Sequence, residues 1–207
     1  MKAPVYDAVI FDCDGVMFDT TEANQAYYNA VLSHFGKPLL TPSQFAYIHS
    51  HTVDDSIAHL FEAPEAAANA HAYRKAMSYL PFITHMQPEP GLVPLLTRLR
   101  PACRTAIATN RTDTMARVLA QFGLTALFDM VVCAHDVPRP KPAPDPLMHI
   151  LAAFGIEPGQ ALFIGDSAVD EGAAAAAGVP FAAYANPSLN AEYHVNRLSQ
   201  IADICFP

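Results

Sequence analysis

Short apolar runs along the chain alternate with segments in which hydrophobic residues recur at helical spacing. Apolar residues at i, i+3, i+4 and i+7 predict helices over 112–122 and 146–154. Enrichment in β-branched and aromatic residues predicts strands, the last of them weaker than the others, at 5–11, 105–108, 130–133, 161–164, 180–184 and 203–206. Strands that alternate with helices of this length form right-handed βαβ units. The pattern therefore predicts an α/β fold with a Rossmann-like, doubly wound parallel sheet.

The stretch from residue 20 to residue 87 interrupts this alternation. It contains no convincing strand, and glycine and prolines separate its helical patterns around 22–35, 42–48, 52–61 and 64–80. An all-helical insertion after the first strand is the simplest organisation. We therefore expect a Rossmann-like core made of residues 1–19 and 88–207, and a helical cap made of residues 20–87.

Composition and charge exclude several classes of partner. The 12 basic and 20 acidic residues give a net charge of -8, and such a chain lacks the clustered Lys and Arg that hold a phosphate backbone. The N-terminal stretch is too short and too polar for a secretory signal, and every apolar window is shorter than the roughly 18 residues of a membrane span. The four cysteines form no CxxC pair and are expected to be reduced thiols. We expect a cytoplasmic monomer or homodimer with no nucleic-acid or membrane partner.

Chemically active side chains follow several of the predicted strands. They comprise an acidic pair, a hydroxyl with an amide, a lysine in a proline-rich loop and a second acidic pair: Asp12, Asp14, Thr109, Asn110, Lys141, Asp166 and Asp170. The carboxyl ends of parallel strands meet at one edge of the sheet, where ligands bind in such folds. Crowded carboxylates repel each other unless a cation lies between them. Mg²⁺ prefers oxygen ligands and usually also binds a substrate phosphate, so it fits this set best.

These residues resemble the four motifs of the haloacid dehalogenase (HAD) superfamily, in particular its helical-cap subgroup. The motifs are DCDGV at 12–16, Thr109 with Asn110, Lys141 within PKPAPDP, and GDSAVD at 165–170. Their order, the position of the helical insertion and the segment PEPGLVPLLTRL are similar as well. The chain looks most like phosphoglycolate phosphatases and β-phosphoglucomutase-like members of the superfamily.

The resemblance implies a catalytic role for each motif. Asp12 would be the nucleophile that forms an aspartyl-phosphate, a known use of a carboxylate. Asp14 would protonate the leaving alcohol and then deprotonate the hydrolytic water. Thr109, Asn110 and Lys141 would bind the phosphoryl oxygens and neutralise the charge that spreads over them in the transition state.

The resemblance also implies a Mg²⁺ site built from the acidic residues. Its ligands would be the side chain of Asp12, the backbone carbonyl of Asp14 and the side chain of Asp166. Asp170 would be either a further ligand or a support for Lys141. From the residues alone, a second interpretation of Asp170 stays open, namely that it only stabilises a helix N-terminus through the helix dipole.

Three features bear on the substrate. Dehalogenases of the superfamily need no proton donor for a halide, so the presence of Asp14 favours phosphate chemistry. Val16 and Met17 replace the Thr that commonly follows the first motif, which leaves the substrate open. His51, together with His49, lies in the cap stretch that in similar enzymes faces the site. His51 is the candidate for substrate contact, and a plain role on the cap surface is the alternative.

The function expected from these observations is Mg²⁺-dependent hydrolysis of a small phosphorylated metabolite, such as phosphoglycolate or a sugar phosphate. Two alternatives stay open. A phosphomutase of the β-phosphoglucomutase type would use the same nucleophile but pass the phosphoryl group to another hydroxyl. A non-catalytic binding protein of the HAD fold is the third reading, although a pure binder gains nothing from a self-repelling acid cluster.

Overall fold

The central feature of the protein, in a computed structural model that describes residues 4–50 and 53–207 apart from the side chains of residues 49 and 50, is a six-stranded parallel sheet. The strands of the described residues are β1 (Ala8–Phe11), β2 (Phe18–Asp19), β3 (Gln87–Pro88), β4 (Arg104–Ala108), β5 (Met130–Val132), β6 (Ala161–Gly165), β7 (Phe181–Tyr184) and β8 (Tyr193–Val195). The large sheet has the order β5-β4-β1-β6-β7-β8, and all its pairs are parallel. Strands β2 and β3 form a separate antiparallel pair. The predicted α/β class and Rossmann-like sheet are confirmed.

Helices follow the strands on the larger part of the chain and make up the interval between β2 and β3. The α-helices are α1 (Thr21–His34), α2 (Pro42–Ser50), α3 (Val53–Leu60), α4 (Pro64–Ala76), α5 (Leu92–Leu99), α6 (Met115–Gln121), α7 (Asp145–Phe154), α8 (Ala168–Ala177) and α9 (Ser199–Cys205). A 3-10 helix spans Leu80–His85. No helix in the described part of the chain combines the length and the apolar character needed to cross a membrane.

The chain divides into two compact units. The first contains the residues up to Asp19 together with Gln87–Pro207, and the second contains Thr20–Met86. Gln87 falls in the first unit, one residue from the expected boundary, and pairs with Asp19 between β3 and β2. The helical unit has its own apolar core, built around Val31, Ile57 and Phe61.

Strand β1 lies at the centre of the large sheet and is covered on both faces. All four of its residues are fully buried, as expected for an apolar strand flanked by parallel neighbours on either side. Helices α7 and α8 pack together on the face that contains Ala8 and Ile10. The alanines of α8 are small enough for the helix to pack closely on the sheet. Close packing of helices on the sheet fixes the position of the end of β1.

The prediction was wrong at the C-terminus. The weak strand at 203–206 belongs instead to helix α9, in which Ile201, Ala202 and Cys205 are buried on one side. The sixth strand of the large sheet is β8. Sequence patterning did not indicate it because its residues lie in a polar stretch and include the exposed His194. The helix expected over 64–80 ends at Ala76, ahead of the 3-10 helix with Pro81 near its start.

Candidate active site

The ends of four neighbouring strands converge on one cavity of the first unit. Its volume is about 350 Å³, and its lining consists of Asp12, Asp14, Thr109, Asn110, Arg111, Lys141, Asp166, Ser167, Val169 and Asp170. The acidic pair follows β1, the Thr-Asn-Arg segment follows β4, the lysine lies in the loop between β5 and α7, and the second acidic pair follows β6. Every site residue predicted from the sequence lies here except His51. His51 falls outside the described residues, and so does the side chain of His49.

Lys141 forms the buried centre of the cluster. Its Nζ donates hydrogen bonds of 2.6 Å to Oδ1 of Asp12 and 2.6 Å to Oδ1 of Asp170. Burial by itself lowers the pKa of Lys141, but the charges and hydrogen bonds of the two carboxylates outweigh it, so the pKa lies above its usual range. The lysine is therefore a fixed cation between two acids.

Asp170 belongs both to helix α8 and to this cluster. Its Oδ2 accepts hydrogen bonds from the hydroxyl of Ser167 at 2.6 Å and from the backbone N–H groups of Ser167 and Asp166 at 3.2 and 3.3 Å. Ser167 is the N-cap of α8, and the pair forms the reciprocal capping box that SAVD predicts at a helix start. The two oxygens of Asp170 are thus occupied by Lys141 on one side and by the helix cap on the other.

Asp12 is buried, yet one of its oxygens is available to a ligand. Only 7% of the residue is exposed, and within the described residues Oδ2 has no hydrogen bond while Oδ1 is bonded to Lys141. Burial raises the pKa of Asp12 to about 8; Lys141 opposes the rise, and the charges of Asp170 and Asp14 add to it. A further positive charge beside Asp12 would favour its ionised form.

Gly15 allows Asp166 to approach the loop after β1. A Cβ at Gly15 would lie 2.1 Å from Oδ2 of Asp166, and the residue has φ +82°, which glycine adopts without strain. Burial, together with the charge of Asp170, raises the pKa of Asp166 to about 7. The loop is therefore shaped so that Asp166 lies directly beside the backbone that follows Asp12.

Asp14 is paired with an arginine that the sequence analysis did not single out. Arg111 donates from Nε to Oδ2 of Asp14 at 2.8 Å and from Nη2 to Oδ1 at 2.7 Å. The signal was available, because Arg111 directly follows the Thr109-Asn110 motif at a strand end. Sequence position alone gives no indication of where so long a side chain will point.

Thr109 and Asn110 have different local contacts. Thr109 is buried, and its hydroxyl accepts a hydrogen bond of 3.1 Å from the backbone N–H of Arg111. The side-chain amide of Asn110 donates to the backbone carbonyl of Lys141 at 2.9 Å. Asn110 therefore ties the end of β4 to the loop that carries the lysine.

The donor set fits a divalent cation. Oxygens of Asp12, Asp166 and Asp170 lie within 4.8 Å of one another, and carboxylate oxygens are the ligands that Mg²⁺ prefers. The six charged side chains of the cavity are four carboxylates and two cations, so two negative charges are left uncompensated when all are ionised. One Mg²⁺ would balance that charge.

The chain matches known proteins over most of its length. Residues 9–184 match the family described as haloacid dehalogenase-like hydrolase. The chain is 32% identical to a phosphoglycolate phosphatase of Chromobacterium violaceum over 95% of each protein. It is 30% identical to a phosphoglycolate phosphatase of Cereibacter sphaeroides over 90% of this chain and 88% of that one. The crystal structure of a HAD-superfamily hydrolase, subfamily IA, variant 1, from Geobacter sulfurreducens is similar with a TM-score of 0.87 and 39% identity, covering 97% of each chain.

The family match runs from the second residue of β1 to the end of β7 and therefore contains all the loops that form the cavity. The two relatives extend over nearly the whole chain, including its helical unit. The fold, the family match and the named relatives all indicate the same family. The chain belongs to the haloacid dehalogenase-like hydrolase family and is an enzyme of the phosphatase type.

Proposed function

We propose that the protein is a Mg²⁺-dependent hydrolase of small phosphate monoesters that works through an aspartyl-phosphate on Asp12. The main evidence for this proposal is the hydrogen bonding of the two oxygens of the Asp12 carboxylate. Lys141 fixes Oδ1, whereas Oδ2 has no hydrogen bond within the described residues and belongs to a cavity with room for a small ester. A carboxylate held at one oxygen and open at the other is suited to in-line attack on phosphorus.

The first chemical step transfers the phosphoryl group to the protein. Oδ2 of Asp12 forms a bond to phosphorus while the bond between phosphorus and the ester oxygen breaks. The departing oxygen takes a proton from the carboxyl group of Asp14, which lines the same cavity. The products of this step are a free alcohol and the aspartyl-phosphate.

The second step regenerates the enzyme. A water molecule gives a proton to the Asp14 carboxylate and attacks phosphorus, and the bond to Asp12 breaks to release inorganic phosphate. Asp14 thereby returns to its protonated state for the next ester. The two carboxyl groups alternate in these roles at the end of β1.

Lys141 and Thr109 are the proposed ligands of the phosphoryl oxygens, with Asn110 at the same edge. The buried ammonium of Lys141 supplies positive charge where negative charge spreads over those oxygens in the transition state. Asp170 fixes the lysine, and its occupied oxygens support this role better than that of a metal ligand.

Asp12, the backbone carbonyl of Asp14 and Asp166 are the proposed holders of Mg²⁺. The cation would neutralise the surplus charge of the cluster and polarise the phosphoryl group. Gly15 supports this assignment because only its missing side chain allows Asp166 to lie against the loop that contains the other two residues.

Phosphoglycolate is the substrate that we favour over sugar phosphates. Both of the relatives described above, which are at least 30% identical to this chain over most of their length, carry the name phosphoglycolate phosphatase. A two-carbon phosphorylated acid is also small enough for the cavity of about 350 Å³. The proposed location is the cytoplasm, where such metabolites occur.

The test is the release of inorganic phosphate by the purified protein from phosphoglycolate and from a panel of sugar phosphates. Each reaction is run with Mg²⁺ and with a chelator. We expect Mg²⁺-dependent release that is fastest with phosphoglycolate. Absence of release from every ester would overturn the proposal, and conversion of one sugar phosphate into its isomer without phosphate release would identify a phosphomutase instead.

A further inference from the structure

Arg111 grips Asp14 in a two-point contact at the wall of the cavity. Its Nε and Nη2 donate to the two carboxylate oxygens at 2.8 and 2.7 Å, the parallel arrangement that fixes both the distance and the plane of a carboxylate. The arginine side chain is 10% exposed and the aspartate side chain 37% exposed. The acid therefore faces the cavity from a largely buried support.

Arg111 is itself held in place from three directions. Its Nη1 donates to the hydroxyl of Thr114 at 3.3 Å, its backbone N–H donates to the hydroxyl of Thr109 at 3.1 Å, and its carbonyl accepts from the backbone of Ala134 at 2.9 Å. The Thr114 contact restrains the guanidinium itself, and the two backbone contacts fix the chain segment from which the side chain extends, so the side chain loses less further freedom when it binds a carboxylate. The loop after β4 thus determines where the Asp14 carboxylate lies.

We propose that Arg111 is a positioning residue, which sets the Asp14 carboxylate at the place where the ester oxygen departs. The proposal rests on the proposed phosphatase function and deepens it. Each carboxylate oxygen has a second lone pair beyond the one that the guanidinium uses, so both oxygens of Asp14 can still accept a further hydrogen bond from the cavity side. The Nε–H and one N–H of Nη2 are engaged by Asp14, so we assign the effect of the arginine to that residue; a direct action on the phosphoryl group would instead slow both kinds of ester equally.

The test compares esters that differ in their need for a proton. The p-nitrophenolate of p-nitrophenyl phosphate departs without protonation, whereas the alkoxide of an alkyl phosphate such as phosphoglycolate needs it. We expect Arg111→Met to lower kcat/KM about a hundredfold for the alkyl ester and less than about tenfold for the aryl ester. Asp14→Asn should show the same preference for the aryl ester.

Two further variants separate positioning from general effects. Arg100→Met removes a partly buried ion pair with Asp129, with N···O 3.3 Å, near the opposite ends of the strands, and should leave both reactions unchanged. Arg111→Lys keeps the charge but cannot make the two-point contact. It should therefore show a smaller loss of kcat/KM, again larger for the alkyl ester than for the aryl ester. Thermal unfolding of each variant checks that it folds. If Arg111→Met does not fold, the comparison of the two esters is made with Arg111→Lys.

The double variant Asp14→Asn/Arg111→Met decides whether the two residues act as one unit. We expect it to be no slower than Asp14→Asn, within about twofold, because an arginine that acts through Asp14 has nothing left to position. Losses that multiply, equal losses for both esters, a raised KM with kcat unchanged, or full activity of Arg111→Met would each overturn the proposal. Failure of the phosphatase proposal is distinct, because the wild-type protein would then release no phosphate from either ester.

Discussion

The ammonium of Lys141 lies 2.6 Å from Oδ1 of Asp170, and both side chains are almost completely buried. The contact joins a proline-rich loop to the first turn of helix α8, and the same ammonium reaches Asp12 at the end of β1. A buried charge that loses its partner costs far more than an exposed one, because the remaining ion has neither water nor a counter-charge. The Lys141–Asp170 pair therefore supports both the fold and the site.

Replacing Lys141 with methionine should destabilise the protein and inactivate it. The change leaves Asp12 and Asp170 buried without their shared cation, which we expect to lower the free energy of unfolding by about 3 kcal/mol. Urea denaturation in the absence of Mg²⁺ measures the loss. Lys75→Met, at an exposed position of helix α4, is the matched control and should stay within about 0.5 kcal/mol of the wild type. A Lys141→Met variant as stable as this control would contradict the ion-pair account.

Replacing Gly15 with alanine should impair Mg²⁺ stimulation as well as stability. The new Cβ would overlap the Asp166 carboxylate, 2.1 Å from Oδ2, in addition to the strain of φ +82°. Gly123→Ala separates the two effects, because Gly123 has φ +67° and no heavy atom within 4 Å of the added Cβ. Strain alone should cost about 1–3 kcal/mol in both variants.

The two glycine variants are compared by urea denaturation and by the Mg²⁺ concentration that gives half-maximal phosphate release. Gly15→Ala should be the less stable variant and should need more Mg²⁺, whereas Gly123→Ala should need the same amount as the wild type. Equal stability losses with an unchanged Mg²⁺ requirement would show that Asp166 does not depend on the space at Gly15.

The cysteines should react slowly in the folded protein. All four are free and buried, and burial raises the pKa of Cys103 and of Cys133 to about 11. A raised pKa keeps the thiol protonated and unreactive through neutral pH, and thiolate forms only as the pH approaches that raised value. Titration with a thiol-specific disulfide reagent at about pH 8 should therefore be slow in buffer and fast in denaturant, where the pKa returns to about 8.5. Rapid reaction of the folded protein would contradict the buried assignment.

Much of the fold could be predicted because the strongest hydrophobic patterns of the sequence match the residues that are buried. The apolar run that contains β1 is buried on both faces, and helix α7 buries Leu147, Ile150 and Leu151 at the spacing that the sequence displays. Strand β8 could not be predicted in this way, because its three residues lie in a polar stretch and include the exposed His194, whereas the equally short β5 is an apolar run. The segment that follows it was misread because a short apolar run fits a strand and a helix equally well.

The positions of the site residues also follow from the topology, whereas their pairing does not. Parallel strands place Asp12, Thr109 and Asp166 at one edge whatever their side chains do. Which cation compensates which acid depends on rotamers and on burial. Lys141 binds two acidic partners and Arg111 binds Asp14, and the spacing of these residues along the sequence indicates neither pairing.

The measurement that tests the central claim most directly is the rate of Mg²⁺-dependent phosphate release from phosphoglycolate by Asp12→Asn. Asparagine keeps the size of the side chain but offers no carboxylate to attack phosphorus, so the account predicts a loss of at least about a thousandfold in kcat with the fold retained in thermal unfolding. Activity within about tenfold of the wild type would show that Asp12 is not the nucleophile and would contradict the account.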